Sequence, residues 1–589
     1  MKKTTLIARE QDAESAIADL RSLGVLHVEY TLPPQGEGLV ALREKAGLLN
    51  SCFDAWERSD ALKPLPAQEE FPGGWEVLAK HIVELWRRYD QLEAYSRGFE
   101  QAIAEWEYWG DFDPREIERL REKGIYARLF QVPSRQAGQF PDGTVARKIF
   151  TRGGYAYYLT ISFGLCAVSF QEVLPPKQGL SWMRRRLGED RKLMEKIKQD
   201  LVKSAAYQKT LLGIKEKLEK SIEFYQAVYG MGKEGALSYI SGYVPLDAAE
   251  ALEKEAQKRQ WGITLDDPSD EDNPPVLLKN PRFLGLIGPV MKLLGVIPGY
   301  RELDVSAVFL FFFSVFFGIL VGDAGYGMVY LLLTLWFQKK KAASPRNANI
   351  FLLLYILNSS AIIWGVLTGT FFGQDWLAGS GIRPLLPALN DPAKMQAFCF
   401  FLGALHLTLA HAWRALVKFP SQAFLADLGW IGVLWVSYSL ACALILGRHF
   451  MSFGLELAAL SMLLVLFFSE PRKNLFRRAG AGFTSITFGL GFMSAFTDVV
   501  SYVRLFAVGL AGVAIANTTN TMAAGLGSGV AGVSAGILIR VVGHALNMVL
   551  APIAILVHGV RLNVLEFGLN HTGITWSGVP YKPLSEEVS

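Results

Sequence analysis

The sequence predicts two parts: an N-terminal cytoplasmic α/β dumbbell with antiparallel coiled-coil arms, then an α-helical polytopic membrane domain of eight spans whose last two are long and tilted. Three observations carry this reading. Charge is uneven, with 41 Lys/Arg and 43 Asp/Glu in residues 1–300 against 18 and 12 in residues 301–589. Two heptad runs flank an α/β segment in the charged part. The other part holds apolar runs long enough to cross a bilayer, in a chain that is 51% apolar overall.

The first lobe opens the chain. Residues 3–9 (KTTLIAR) read as a strand, 13–23 as an amphipathic helix and 24–31 (GVLHVEYT) as a strand. Leu42, Leu49 and Trp56 then recur every seven residues with Ala46 and Phe53 between them. After a break at Pro64, Pro66 and Pro72 the pattern resumes as Leu78, Leu85, Leu92, Phe99 and Trp106. Residues 110–176 (GDFDP, a charged helix, then alternating IYARLFQV and YAYYLTISF) read as a distal lobe. The return arm carries Leu187, Met194 and Leu201 on one line and Ile197, Leu211, Leu218 and Tyr225 on the other. Residues 236–266 read strand, helix, strand and would complete the first lobe. The expected map is a proximal lobe from 1–35 and 236–280, arms at 38–108 and 178–228, a distal lobe at 110–176 and a linker at 281–300. The plainer alternative for the heptads is an ordinary helical bundle. No apolar stretch follows Lys2 and Lys3, so a secretory signal is not expected and this half should stay in the cytoplasm.

The membrane domain is expected at 301–570, with a cytoplasmic tail at 571–589. The apolar run Val305–Phe337 is interrupted by Gly322-Asp323-Ala324-Gly325, which reads as two spans joined by a turn, with Asp323 capping it. Further spans are expected near 349–373, 396–417, 425–447 and 451–469, with two long helices at about 483–526 and 530–567. With the soluble half inside, the inner loops hold Lys339, Lys340, Lys341, Arg346, Arg414, Lys418, Arg472, Lys473, Arg477 and Arg478. The outer loops hold only Arg383, Lys394 and Arg448, as the positive-inside bias requires.

Composition excludes several function classes. The net charge of +4 comes with no basic cluster, so nucleic acid is not an expected partner. Cys52, Cys166, Cys399 and Cys442 are far apart and show no metal or disulfide spacing, and neither a metal nor a cofactor is expected. No GxxxxGK[ST] loop is present, so the chain is not expected to hydrolyse nucleotide itself.

Chemistry is expected where charge enters the apolar helices. Arg504 lies well inside its apolar stretch, and Arg561 lies on the last helix. A guanidinium in hydrocarbon costs several kcal/mol and normally faces a polar path or partner, the alternatives being snorkelling or a packing ion pair. An arginine keeps its proton, so it would favour the ionised form of any carboxylate brought beside it. His544, Asn547 and His558 form a polar stripe on the last helix; each histidine has the alternative of a satisfied interhelical donor. Asp498 and Glu566 should lie toward the cytoplasm, and Arg540, Glu456 and His449 toward the outside, giving two polar vestibules.

SYVRLFAVGLA, GHALNMVLAPIAILVHGVRLNVLEF, FFGILVGDAGYG and IIWGVLTGTFFG resemble stretches of the a or I subunits of V/A-type rotary ATPases, and SGYVP with NPPVLLKNP resembles the family's N-terminal domain. The resemblance covers nearly the whole chain. It implies that Arg504 and Arg561 face a rotating proteolipid (c/K) ring and separate two ion half-channels for H⁺ or Na⁺. It also implies that the soluble part binds the peripheral-stalk subunits E and G/H and the central-stalk adaptor C/d. Gly512 stands where the eukaryotic pattern has histidine, and Ala551 where it has an acidic residue, which points to a bacterial or archaeal form. The rival reading is a self-sufficient transporter or channel with a regulatory coiled coil. A transporter would usually carry internal repeats, and none is seen between spans one to four and five to eight.

Overall fold

The computed structural model describes residues 1–30, 32–59, 74–136, 140–341, 348–373, 384–469, 491–527 and 529–586. The proline break at 64–72, the Arg346 loop, Arg383 and the 470–482 loop with its four cations lie outside the described residues. Tertiary contacts divide the chain into two compact units, one of residues 4–265 and 583–589, the other of 1–3 and 266–582.

In the first unit, β1 (Lys2–Arg9), α1 (Ala13–Leu23) and β2 (His27–Glu29) lead into two long helices, α2 (Glu37–Arg58) and α3 (Trp75–Trp106). Then come α4 (Pro114–Glu122), β3 (Tyr126–Pro133), β4 (Thr144–Arg152), β5 (Tyr155–Ser162) and β6 (Gln171–Val173). Two more long helices, α5 (Leu180–Ser204) and α6 (Gln208–Tyr229), return to β7 (Gly232–Glu234), β8 (Leu237–Val244), α7 (Leu246–Arg259) and β9 (Gly262–Asp266). One sheet runs β2-β8-β1-β9 with β7 on β8, so strands distant in sequence share it; the other runs β4-β5-β3-β6. Its strands pair in register from Tyr126 against Ser162 to Pro133 against Tyr155.

The long helices pack antiparallel. Arg184 of α5 pairs with Glu107, just past the end of α3, at 2.6 Å and Arg191 with Glu100 of α3 at 2.6 Å, the numbers falling on one side as they rise on the other. Nearer the first sheet, Trp56 Nε1 of α2 donates to Ser204 Oγ at the end of α5 at 2.9 Å, and Lys215 of α6 lies over the Phe53 ring. The heptad residues Leu49, Trp56, Leu92, Ile197, Leu201 and Leu211 meet in one apolar core with Ile82. Each such side chain contributes about 1.5–3 kcal/mol by leaving water. Leu584 is buried in the separate core of the first sheet, and its backbone N–H donates to Leu26 O at 2.8 Å.

In the second unit a short α8 (Gly288–Leu294) precedes α9 (Ser306–Val321) and α10 (Ala324–Lys341), which meet at a bend of 118°. Gly322 closes α9 in the left-handed region at φ 66°. Asp323 caps the turn as expected, accepting from Gly325 N at 2.7 Å and Tyr326 N at 3.1 Å, and also from Gly373 N at 2.9 Å. The turn presses on α11 (Ala348–Thr368): a Cβ on Gly365 would stand 2.0 Å from Ala324 N, so only glycine admits this approach.

There follow α12 (Pro392–Lys418), α13 (Phe424–Leu446), α14 (Gly454–Phe468), α15 (Gly491–Ser501), α16 (Val503–Ala524) and α17 (Val530–Ala554). Eight spans were expected; among the described residues five helices are long and apolar enough to cross a membrane, or six if the bent pair counts as one. For α10 (18 residues) the difference is its charged end, Lys339, Lys340 and Lys341; for α9 and α14 it is length. The 16 residues of α9 and 15 of α14 reach only about 22–24 Å at 1.5 Å per residue, short of a ~30 Å hydrocarbon layer. α15 and α16 run on as one apolar helix of 34 residues.

α17 continues as a π-helix through Ile555–Gly559 and Leu562–Thr572, an apolar helix of 43 residues in all, so helix enters the segment expected as a tail. Pro552 inside α17 cannot donate to Met548 O, and Tyr330 Oη supplies that bond at 2.5 Å. Beyond it, Val560 N–H reaches Ile555 O and Gly573 N–H reaches Gly568 O, both five residues back.

Candidate functional site

The π-helix determines which side chains line up. On an α-helix residues five apart diverge by roughly 140°, whereas the wider turn of i→i+5 hydrogen bonding narrows this to roughly 50° and puts them on one face. Arg561, Glu566 and His571 are spaced in this way. Glu566 is buried, and its Oε1 lies 3.2 Å from Arg504 Nη1 and 3.4 Å from Arg561 Nε, so arginines from two helices converge on one carboxylate. Their side chains stay 27% and 53% exposed, while Glu566 Oε2 is buried without a hydrogen-bond partner among the described residues. Such an arrangement presents an uncancelled positive charge on one uncovered face.

Asp498 and His571 form a second cluster. Asp498 Oδ2 lies 3.1 Å from His571 Nε2 and accepts from Asn570 Nδ2 at 3.2 Å. His571 Nδ1 lies 3.0 Å from His411 Nε2, and His411 Nδ1 lies 3.2 Å from Asp427 Oδ1. Asp427 also pairs with Arg414 Nε at 3.3 Å and Lys418 Nζ at 2.5 Å. Close by, His406 Nδ1 meets Tyr502 Oη at 2.8 Å between the rings of Phe312 and Phe567.

The third cluster joins α10, α16 and α17. His544 Nε2 meets Asn520 Oδ1 at 3.2 Å, which can only accept, so that nitrogen carries the proton. Nδ1 then accepts from Tyr326 Oη at 2.7 Å. Asn547 Nδ2 donates to Tyr326 Oη at 3.2 Å and to Gly512 O at 2.8 Å. Here Gly512 offers its backbone carbonyl.

Of the expected residues, the structure thus joins Arg504, Arg561 and Glu566 in one cluster, and His544 with Asn547 in another. Asp498 is joined to histidines that the sequence reading did not name. His558 is half-buried and enters none of these networks, because the turn to π geometry at Ile555 breaks the stripe expected from α spacing. Arg540 is half-buried, Glu456 and His449 are exposed, and none joins a cluster among the described residues. His406, His411, Asp427 and His571 went unnoticed, although an ionisable group inside an apolar helix is a signal in its own right. Among the described residues no group of three or more His, Cys, Asp or Glu is arranged to hold a metal ion.

No family model matches the chain. A curated relative from Treponema pallidum, V-type ATP synthase subunit I 1, is 30% identical over 100% of this chain and 99% of its own length. The chain belongs to the V-type ATP synthase subunit I family. Subunit I of Borreliella burgdorferi is 27% identical over 100% of this chain and 99% of its own. The A-type subunit I of Methanocaldococcus jannaschii is 25% identical over 67% of this chain and 62% of its own. A crystal structure of the cytoplasmic N-terminal domain of subunit I, homolog of subunit a, of V-ATPase aligns with 45% of this chain and 100% of that chain at 17% identity and a TM-score of 0.24.

Proposed function

We propose that this chain is the membrane stator subunit of a V/A-type rotary ATPase and forms two ion half-channels against a proteolipid ring. The observation that carries this is the convergence of Arg504 and Arg561 on buried Glu566 with both guanidinium groups partly uncovered. Uncovered charge in hydrocarbon costs several kcal/mol, so this face calls for a polar partner. A carboxylate on a passing ring is such a partner: beside the arginines it must ionise and release its cation. Asp498 with Glu566 would serve the cytoplasmic half-channel, and His544 with Asn547 the outer one; Arg540, Glu456 and His449 remain candidates for its mouth, and His558 for the path beside the arginines.

In this reading residues 1–280 form a cytoplasmic dumbbell that binds the peripheral-stalk subunits E and G/H and the central-stalk adaptor C/d. Residues 281–300 link it to the membrane domain in the cell membrane. α9, α10 and α14 each cross where the bilayer is locally thin, bringing the crossings to eight. The chain takes part in ATP-driven transport without hydrolysing nucleotide.

Arg504→Ala tests this directly. It should abolish ATP-driven ion uptake into vesicles holding matched amounts of assembled complex, and Arg504→Lys should also be poor, since an ammonium differs in reach and can lose its proton. Normal coupled transport by Arg504→Ala would make the arginine a structural anchor and end the proposal.

A further inference from the structure

Asp427, His411, His571 and Asp498 make an unbroken hydrogen-bonded row through the second unit, from α13 through α12 and the π-helix to α15. They are 1%, 3%, 5% and 8% exposed, so water does not compete for these bonds. Three gaps separate the four groups: 3.2 Å from Asp427 to His411, 3.0 Å from His411 to His571 and 3.1 Å from His571 to Asp498. Each gap is a hydrogen bond only if one proton lies in it. Two ionised carboxylates bring none and two neutral imidazoles bring one each, which leaves one gap with facing lone pairs. The row is fully bonded only when it holds one proton beyond that.

That surplus proton has four places to sit. With it on Asp427, both imidazoles carry their hydrogen on Nε2. Passing it to His411 Nδ1 makes an imidazolium, whose Nε2 hydrogen crosses to His571 Nδ1, and the His571 Nε2 hydrogen crosses to Asp498 Oδ2. The charge thus travels the whole row while each hydrogen crosses only its own gap and no ring turns. One proton enters at Asp427 and one leaves from Asp498. Each imidazole must then present its bare nitrogen again before the next passage.

The surroundings give the row a direction. Arg414 and Lys418 set two cations against the Asp427 end, which repel the row's surplus positive charge, and their side chains, 30% and 35% exposed, reach the surface. Arg414 Nη1 also donates to His571 O at 2.8 Å, and Trp430 stacks on the His411 ring. At the far end, among the described residues, Asp498 accepts from neutral donors besides His571, Asn570 Nδ2 at 3.2 Å and Ser494 Oγ at 3.5 Å.

We infer that this row is a proton relay feeding the cytoplasmic half-channel, and that the ion coupled to ATP turnover is H⁺. The inference rests on the half-channel reading above. The direct nitrogen-to-nitrogen link between the histidines passes a proton and offers no oxygen cage for Na⁺.

The experiment uses the whole complex in vesicles, with ATP-driven acidification and ²²Na⁺ uptake measured side by side. Wild type should acidify in Na⁺-free medium and take up no ²²Na⁺ once a protonophore is present; Na⁺ uptake that survives the protonophore overturns the inference. His411→Gln and His571→Gln keep a donor and an acceptor in the row but do not relay, and should lose on the order of 10²-fold in proton transport. Asp427→Asn, at the end whose cations reach the surface, should show the same loss and serves if a glutamine variant fails to assemble. Added imidazole should restore transport severalfold to His411→Ala, which a merely structural role would not allow. Assembled variants that pump within twofold of wild type refute the relay. If Arg504→Ala is dead while they pump, the half-channel reading survives without it; if Arg504→Ala pumps normally, that reading fails first.

Discussion

Glu566→Gln removes one charge and no volume, and the structure says what should follow. Glu566 Oε1 stands 3.2 Å from one arginine and 3.4 Å from the other. At an effective dielectric constant of ~20 each contact has a gross attraction of about 5 kcal/mol, most of it offset by desolvation of the buried carboxylate. A net of about 1–3 kcal/mol remains for the pair. While Glu566 is ionised it competes with any ring carboxylate for the same guanidinium groups. Without it, Arg504 and Arg561 should hold that carboxylate more tightly by about this amount and slow its departure about 10- to 100-fold. The assay is ATP-driven ion uptake in vesicles with matched amounts of assembled complex, alongside thermal melting. Uptake within twofold of wild type in a complex that melts normally would show that Glu566 does not compete for the arginines.

Three further outcomes are expected. A cysteine at position 340 should react with an impermeant thiol reagent only from the cytoplasmic side, since the inner loops then hold most of the loop cations; labelling only from outside would remove the two-crossing reading of α9 and α10. Leu201→Ala, at a fully buried position in the long-helix core, should cost about 2–5 kcal/mol in chemical denaturation of the first unit, and a change below about 0.5 kcal/mol would mean that α5 does not pack there. The Arg128 guanidinium holds the Glu172 carboxyl below its ordinary range, so the pair stabilises the distal sheet above about pH 4.3 and is lost as pH falls through the depressed value. Glu172→Gln should then be less stable than wild type by about 1 kcal/mol or less at pH 7 and equal to it in strong acid; a gap that persists in acid would point to another cause.

Local signals proved legible and tertiary ones did not. The strands at 3–9 and 237–244, the helix at 13–23 and the long arms follow from period and turn residues, and appear within a few residues of where the pattern puts them. The Asp323 cap was readable because its partners are two and three residues away. The convergence on Glu566 was not, because α periodicity places residues 561 and 566 on different faces and only Pro552 hints at a change of winding. His571 was placed in a tail for the same reason. His411 and Asp427 were legible as charges within apolar helices, yet their meaning depends on partners up to 160 residues away.

A π-helix is, in effect, an α-helix wearing surplus residues, and that gives the last helix an unusual sensitivity to deletion. Loss of a single residue between Leu562 and Asn570, with the wide winding otherwise kept, would rotate everything beyond it by on the order of 80°. His571 would swing out of reach of both Asp498 and His411, and the Trp576 indole, which now donates to Val564 O at 3.0 Å, would lose its anchor. A shortened chain should therefore resemble a histidine variant in transport rather than a harmless trimming; one that still pumped would show that the spacing is dispensable. By the same geometry, relatives that share these side chains but differ by one residue in this stretch would hold them in a different order around the axis.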